Sequence, residues 1–177
     1  SFRDGAPVLA VIGRHLFATL LLMGSSTVIA IAIGSWIGIR GATHRHSAFD
    51  YLATIGAMVA LSIPTFWFGL VVIYIFSVEL DWLPAGNRYT IGDGSFLNRL
   101  HHLIAPSIVL ALVSTALWSR FMRSSMLDVI HQDYIRTARA KGVPWRRVVW
   151  VHGLRNASLP VVTVVGLYVG ILIGNSV

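Results

Sequence analysis

Four long stretches of this chain contain no Asp, Glu, Lys or Arg, and this feature limits the fold more than any other. They cover residues 16–39, 51–78, 100–119 and 156–177. A helix needs about 17–25 mostly apolar residues to cross about 30 Å of hydrocarbon, and each stretch is long enough. Only 12% of the residues are charged and the mean hydropathy is +0.72, so an ordinary water-facing surface is excluded. The chain is predicted to cross a membrane.

The crossings are predicted to be helices, because a lone segment in lipid must satisfy its own backbone hydrogen bonds. None of the stretches alternates polar and apolar residues as a barrel strand does. We expect an all-α membrane protein, a polytopic helix bundle in a single domain over 1–177, with spans at about 16–39, 51–78, 102–121 and 157–177. The third is interrupted by His101, His102 and Pro106, and a buried core helix is its alternative.

The basic residues predict how the chain is oriented. With four spans laid head to tail, ten of the fourteen Lys and Arg residues fall on one side, two within 40–50 and eight within 120–155. An excess of Lys and Arg stays in the cytoplasm, so both segments are expected to face inward. The net charge of +7 is then a topology signal, and no nucleic-acid partner is expected.

Small and polar residues inside the spans have two interpretations. Glycines such as Gly34 and Gly38 let helices approach closely, and hydroxyls bond across helix contacts. Alternatively, some of these side chains line a path for a polar solute, with Pro64 as a hinge, because proline lacks an N–H and bends its helix. The candidate path or gate residues are Ser62, Pro64, Thr65, Ser114 and Thr163.

The sequence offers little for catalysis, metal binding or ion coupling. The four stretches have no ionisable Asp, Glu, Lys or Arg of the kind an ion-driven carrier keeps in mid-membrane. The pairs His44/His46 and His101/His102 lie on opposite predicted sides, and no cysteine completes a coordination sphere. No phosphate-binding loop of the Gly-x-x-x-x-Gly-Lys-Ser/Thr type is present. We expect no catalytic residue, no metal and no cofactor on this chain.

The basic segment at about 124–155 is predicted to be helical and to face a partner. Apolar residues recur at helical spacing from Ser124 or Ser125 until Gly142, which stops the helix. Pro144 suits the first turn of a second short helix. The two short helices are expected to face the cytoplasm with a sharp turn between them, and small residues of the first would allow close approach by a partner while basic residues surround the contact. The alternative is a helix lying on anionic lipid. The segment's candidate residues are Asp133, Tyr134, Arg136, Thr137, Ala138, Arg139, Ala140, Lys141 and Gly142.

The residues at 123–127, 133–142 and 152–163 resemble the cytoplasmic signature loop of ATP-binding cassette importer permeases, closest to the dipeptide/oligopeptide/nickel family of the dipeptide permease type. Weaker agreement extends through 62–67 and 105–107. Two positions depart from the general importer pattern, since Arg136-Thr137-Ala138 stands for the Glu-Ala-Ala triplet and the proline is displaced to Pro160. These departures resemble the sequence pattern of the peptide and nickel subfamily.

The resemblance implies a type I importer in a bacterial or archaeal plasma membrane. It implies a second permease subunit, homologous or identical, cytoplasmic ATPase subunits that hold ATP and Mg²⁺, and an extracytoplasmic binding protein that delivers substrate. The 133–142 segment would be the coupling helix, with Ala138 and Gly142 giving close approach and Arg136, Arg139 and Lys141 the polar contacts. Peptides are the default substrate, with nickel, glutathione or another small solute as alternatives.

Two further expectations accompany this interpretation. The chain opens on Ser1 and stops within an apolar run, so we expect an internal fragment of a longer permease. The functional alternatives are a membrane scaffold that uses the basic loop to hold a soluble partner or lipid, and a carrier of another class.

Overall fold

The computed structural model describes residues 8–87 and 95–175, with side chains for 16–87 and 95–167. In these ranges the chain is helical and contains no β-strand. Three helices are long and apolar enough to cross a membrane, and a broken pair of helices is a fourth candidate. The helices are α1 (Val8–Thr43), α2 (Ala48–Ser62), α3 (Thr65–Ile73), α4 (Phe96–Ile130), α5 (Asp133–Ala140), α6 (Trp145–Arg147) and α7 (Leu154–Asn175). Two π-helical segments, Tyr74–Glu79 and Val148–Gly153, follow α3 and α6 directly.

The predicted span at 51–78 is not one continuous helix. Helix α2 ends at Ser62, and Pro64 has an extended backbone with φ −60° and ψ 127°. The N–H of Phe68 then donates to the carbonyl of Pro64 at 3.0 Å, which opens α3. The break follows from chemistry, because a proline ring removes one N–H and clashes with the preceding helical turn.

Pro106 and Pro160, in contrast, lie inside α4 and α7 without ending them. Helix α4 has 35 residues and is therefore about 52 Å long, well beyond the hydrocarbon thickness of a bilayer. It continues past the predicted limit at 121 and ends at Ile130. The polar end of the third span is thus an extension of the same helix.

The chain divides into two compact units. Among the described residues, one unit contains 8–29, 63–87, 95–111 and 170–175. In it, the hydroxyls of Ser25 and Ser107 lie 2.9 Å apart, and Nε2 of His101 lies 2.9 Å from the carbonyl oxygen of Trp82. These contacts join α1 to α4, and the start of α4 to the segment after α3.

The other unit contains residues 30–62 and 112–169. Here α1 and α4 approach closely at two glycines. A methyl group added at Gly34 would lie 2.8 Å from Cβ of Trp118, and one at Gly38 would lie 2.6 Å from the carbonyl oxygen of Ser119. Gly34 and Gly38 therefore act in helix packing, the first of the two interpretations of the small residues. The completely buried side chains of Met126, Ile135 and Val148 belong to this unit.

Candidate functional site

The basic segment is built around α5, a two-turn helix that is almost entirely exposed. Of its eight residues only Ile135 is buried, at 1% exposure. Helix α5 packs on the π-helical segment Val148–Gly153, in which Val148, Val149 and Gly153 are buried. One fully buried apolar side chain thus attaches α5 to the protein, and most of the rest of its surface is presented outward.

The sequence predicted one helix from Ser124 or Ser125 to Gly142, and the predicted start is wrong. Residues 124–130 belong to α4, and the chain breaks at His131 and Gln132 before α5 begins at Asp133. Gln132 has an extended backbone with φ −73° and ψ 149°. No glycine or proline marks this break. Ile135 is buried in the helix that follows the break. The local sequence does not show that this residue will be buried.

Gly142 ends α5 through a specific turn. Its φ is +79°, a left-handed conformation that residues with a side chain rarely adopt. The N–H of Val143 donates to the carbonyl of Ala138 at 3.2 Å, and the N–H of Gly142 to that of Arg139 at 2.9 Å. These two bonds define a Schellman motif with glycine at its C′ position. The predicted stop at Gly142 is therefore explained by backbone conformation.

The outward surface of α5 and of the turn after it is basic. Arg136, Arg139 and Lys141 are exposed, and the guanidinium of Arg139 lies 5.1 Å from the ring centroid of Trp145. Arg136 lies 3.6 Å from Asp133, but both side chains are largely in solvent, so this pair contributes little. The three cations are thus available to an acidic or polar partner surface.

The small residues of α5 and of the turn after it differ in exposure. Ala138 is half-buried, whereas Ala140 and Gly142 are exposed. Thr137 is also exposed, and its hydroxyl donates to the carbonyl of Asp133 at 3.0 Å. Close approach by a partner is therefore easier at Ala140 and Gly142 than at Ala138, which faces the protein in part.

The second predicted short helix does not stand alone. Pro144 precedes α6 as expected, but α6 passes through Val148–Gly153 into α7 without a break. The amide of Asn156 in α7 donates to the hydroxyl of Tyr134 in α5 at 2.8 Å. A side chain on Gly153 would meet Sδ and Cε of Met126, so α4 and this segment are in close contact. The site is thus joined directly to two membrane-crossing helices.

An ion pair that the sequence did not predict joins Asp50 and Arg123. Nε of Arg123 donates to Oδ1 of Asp50 at 2.6 Å, and a terminal nitrogen donates to Oδ2 at 2.7 Å. The Asp50 side chain is 4% exposed and that of Arg123 31%. Asp50 and Arg123 both lie on the predicted cytoplasmic side of the membrane, each next to an apolar stretch. This placement is the one sequence signal that could have indicated the pair.

The candidate path residues are distributed over α2, α3, α4, α7 and the break before α3. Ser62 and Thr163 are exposed, and their hydroxyls donate to the carbonyls of Met58 and Leu159, four residues earlier in each helix. Pro64 and Thr65 are exposed at the break before α3, and Ser114 is half-buried in α4. Their part in a solute path stays a prediction.

Within the described ranges, no group of three or more His, Asp or Glu side chains is arranged to hold a metal ion. His44 lies beside Thr43 and the carbonyl of Arg40, at the C-terminal end of α1. His101 contacts the backbone of Trp82. Backbone contacts of this kind are typical of histidines that stabilise helix ends and turns.

Comparison with known proteins gives the family. Residues 10–177 match the family described as the inner membrane component of binding-protein-dependent transport systems. The chain is 47% identical over 176 residues to the oligopeptide transport system permease protein AppB of Bacillus subtilis (strain 168), an alignment that covers 99% of this chain and 56% of that protein. It is 37% identical over 199 residues to the dipeptide transport system permease protein DppB of Escherichia coli (strain K12), covering 100% of this chain and 59% of that protein.

A third relative, the di/tripeptide transport system permease protein DppB of Pseudomonas aeruginosa (strain UCBPP-PA14), is 40% identical over 179 residues, with 90% of this chain and 53% of that protein covered. The chain thus spans a little over half the length of these relatives. Both the resemblance seen in residues 123–163 and the all-α membrane fold are confirmed. The chain belongs to the family of inner membrane components of binding-protein-dependent transport systems, whose fold is the transmembrane domain of type I ATP-binding cassette importers.

Proposed function

We propose that this chain forms part of the translocation path of an ATP-driven importer for peptides, and that α5 is its coupling helix. The observation that carries the proposal is the combination of family membership with an exposed, basic, two-turn helix held by a single buried side chain, Ile135. Three relatives whose names specify oligopeptides, dipeptides or di/tripeptides support peptides as the substrate class.

Helix α5 suits a role in force transfer because of how it is attached. The Tyr134–Asn156 hydrogen bond joins it to the start of α7, it packs on Val148–Gly153 with Ile135 buried, and the chain before it is the end of α4. A partner that binds the outer surface of α5 would therefore move two membrane helices through short, packed contacts. Arg136, Arg139 and Lys141 supply charge at the rim of that surface, and Ala140 and Gly142 leave room for close approach.

The partners follow from this mechanism. Cytoplasmic ATPase subunits carry ATP and Mg²⁺ and hydrolyse the nucleotide, and this chain contributes no catalytic group. A second permease subunit, homologous or identical, forms the other half of the path. An extracytoplasmic binding protein delivers the peptide, and membrane lipid surrounds the spans. The family's name, which specifies transport that depends on a binding protein, supports this assembly.

Cysteine cross-linking of the full-length permease to its ATPase tests the proposal. These 177 residues contain no cysteine, so a single cysteine introduced at one of positions 133–145 is the only thiol in this part of the permease. We expect cross-links that centre on Ala140 and Gly142 and change in yield between ADP and ATP with Mg²⁺. Trp82, which is 64% exposed on the predicted opposite side of the membrane, is the matched control and should give none.

A different labelling pattern would contradict the proposal. If cysteines at 133–145 react with lipid-borne probes and never with the ATPase, the segment is an interfacial anchor and the scaffold alternative gains support. If they cross-link with the same yield in both nucleotide states, α5 docks the ATPase without responding to it.

A further inference from the structure

The carboxylate of Asp50 is fixed in place by the start of its own helix. The N–H of Asp50 donates to Oγ of Ser47 at 3.2 Å, which caps the N-terminus of α2. The N–H of His46 donates to Oδ2 of Asp50 at 3.1 Å, and His46 has a φ of +64°. The turn between α1 and α2 is therefore organised around this one side chain.

Arg123 reaches the same carboxylate from α4. The two short bonds are bidentate, an arrangement that fixes the relative orientation of both groups as well as their distance. Helix α1 closes over the pair at Gly41, where an added methyl group would lie 3.1 Å from Oδ1 of Asp50 and 3.5 Å from Cδ of Arg123. The end of α1, the start of α2 and α4 thus meet at one charged contact.

The contact lies close to the coupling segment along α4. Met126 is one helical turn after Arg123, is fully buried, and lies against Gly153 of the π-helical segment on which α5 packs. Short packed contacts therefore join α5 to Arg123 through α4. Of the salt bridges in the ranges that the structure describes, Asp50–Arg123 is the one that joins two helices and has a buried carboxylate.

We propose that Asp50 and Arg123 are a positioning pair that makes the start of α2 move together with the cytoplasmic end of α4 during the transport cycle. The proposal rests on α5 being the coupling helix. A bidentate bridge with one buried partner resists sliding between the helices, since any displacement leaves a charge desolvated and unpaired. Movement imposed at α5 then reaches α2 without any direct contact between α2 and the ATPase.

A distance measurement in the complete transporter tests this inference. Spin labels are placed on cysteines introduced at Leu52 in α2 and Leu117 in α4, which are 70% and 37% exposed. With Asp50 and Arg123 intact, we expect one narrow distance that is the same with ADP and with ATP and Mg²⁺. With Asp50→Asn we expect a broad distribution that changes with nucleotide. Arg120→Gln, an exposed arginine on the same helix, is the control and should behave as the intact protein.

A second readout separates positioning from simple stability. We expect ATP hydrolysis stimulated by the binding protein to fall about tenfold in Asp50→Asn, a typical size for coupling between two sites, while the cross-link from Ala140 to the ATPase remains. Arg123→Lys keeps the charge but not the bidentate geometry and should give the same result, which covers a failure of Asp50→Asn to fold. The double variant Asp50→Asn with Arg123→Gln should be no worse than either single change.

Two outcomes would overturn the inference. One is a Leu52–Leu117 distance that changes with nucleotide in the intact protein, because the pair then opens during the cycle. The other is normal stimulated hydrolysis in variants that only unfold more easily. The absence of any cross-link from Ala140 in the intact protein would instead contradict the coupling role of α5.

Discussion

At the scale of single residues, Gly142 shows how a backbone requirement and a functional role can occupy one position. The Schellman turn after α5 needs a φ of +79° at this residue, and the space around it is open. A substitution here acts first through conformation, and any effect on partner binding follows from the altered turn. Loss of transport on changing Gly142 would therefore not by itself identify a contact with the ATPase.

We expect Gly142→Ala to destabilise the end of α5 by about 1–2 kcal/mol, since a Cβ atom is strained in the left-handed conformation. Gly142→Asn should cost less, because asparagine tolerates that region. Hydrogen exchange of the amides of Gly142 and Val143, both bonded in the turn, measures the effect. Gly56→Ala in α2, where an added methyl group meets nothing within 4 Å, is the control. Equal loss in the Asn and Ala variants would show that the turn is not the cause.

At the scale of helices, the contact between α1 and α4 depends on the absence of side chains at Gly34 and Gly38. Inside a membrane the hydrophobic effect does not drive helices together, so their association depends on close van der Waals packing. The two glycines allow such packing between α1 and α4. The contact lies three to four turns of α4 before α5, so it belongs to the framework that carries the coupling segment.

We expect Gly38→Ala to lower the free energy of unfolding by about 1–3 kcal/mol, as overpacking does, because the added methyl group would meet the carbonyl oxygen of Ser119 at 2.6 Å. Gly24→Ala lies in the same helix and meets nothing within 4 Å, so it should be neutral or slightly stabilising. Unfolding of the full-length permease in mixed detergent micelles compares the two. A loss of equal size in both variants would mean that helix propensity, and not the contact with α4, sets the effect.

At the scale of the whole molecule, the orientation in the membrane is the property on which the proposed function depends most. Ten of the fourteen basic residues fall within the segments expected in the cytoplasm, and α5 lies in one of these segments. Only this orientation presents α5 to an ATPase that uses cellular ATP.

We expect cysteines at Arg45 and Thr137, both exposed, to react with a membrane-impermeant maleimide in inverted vesicles but not in intact cells. Cysteines at Trp82 and Leu97, which are 64% and 76% exposed, should react in intact cells. The physical reason is the retention of Lys and Arg on the cytoplasmic side during insertion. Labelling of Thr137 from outside the cell would reverse the topology and exclude the coupling role.

Local chemistry was sufficient for much of this fold. A run of apolar residues must become a helix in lipid, whatever its neighbours are, because only the helix satisfies its backbone internally. The stop at Gly142 is equally local, since it follows from the conformational limits of one residue. The break at Pro64 is only partly local, because Pro106 and Pro160 lie inside α4 and α7 without ending them. Family membership was also readable from residues 123–163, because the coupling segment keeps a recognisable pattern.

Only the tertiary structure decided which distant segments of the chain are in contact. Asp50 and Arg123 are 73 residues apart, and nothing in either neighbourhood specifies the other. The break at His131 and Gln132 has no sequence marker, and the helix after it packs on Val148–Gly153, which comes later in the chain, with Ile135 buried. The half-burial of Ala138, which turns it from the expected contact surface, has the same origin. By itself, the sequence determined a membrane-spanning helical permease with a basic cytoplasmic helix; packing between distant helices decided which side of that helix is free to bind and how it is joined to the spans.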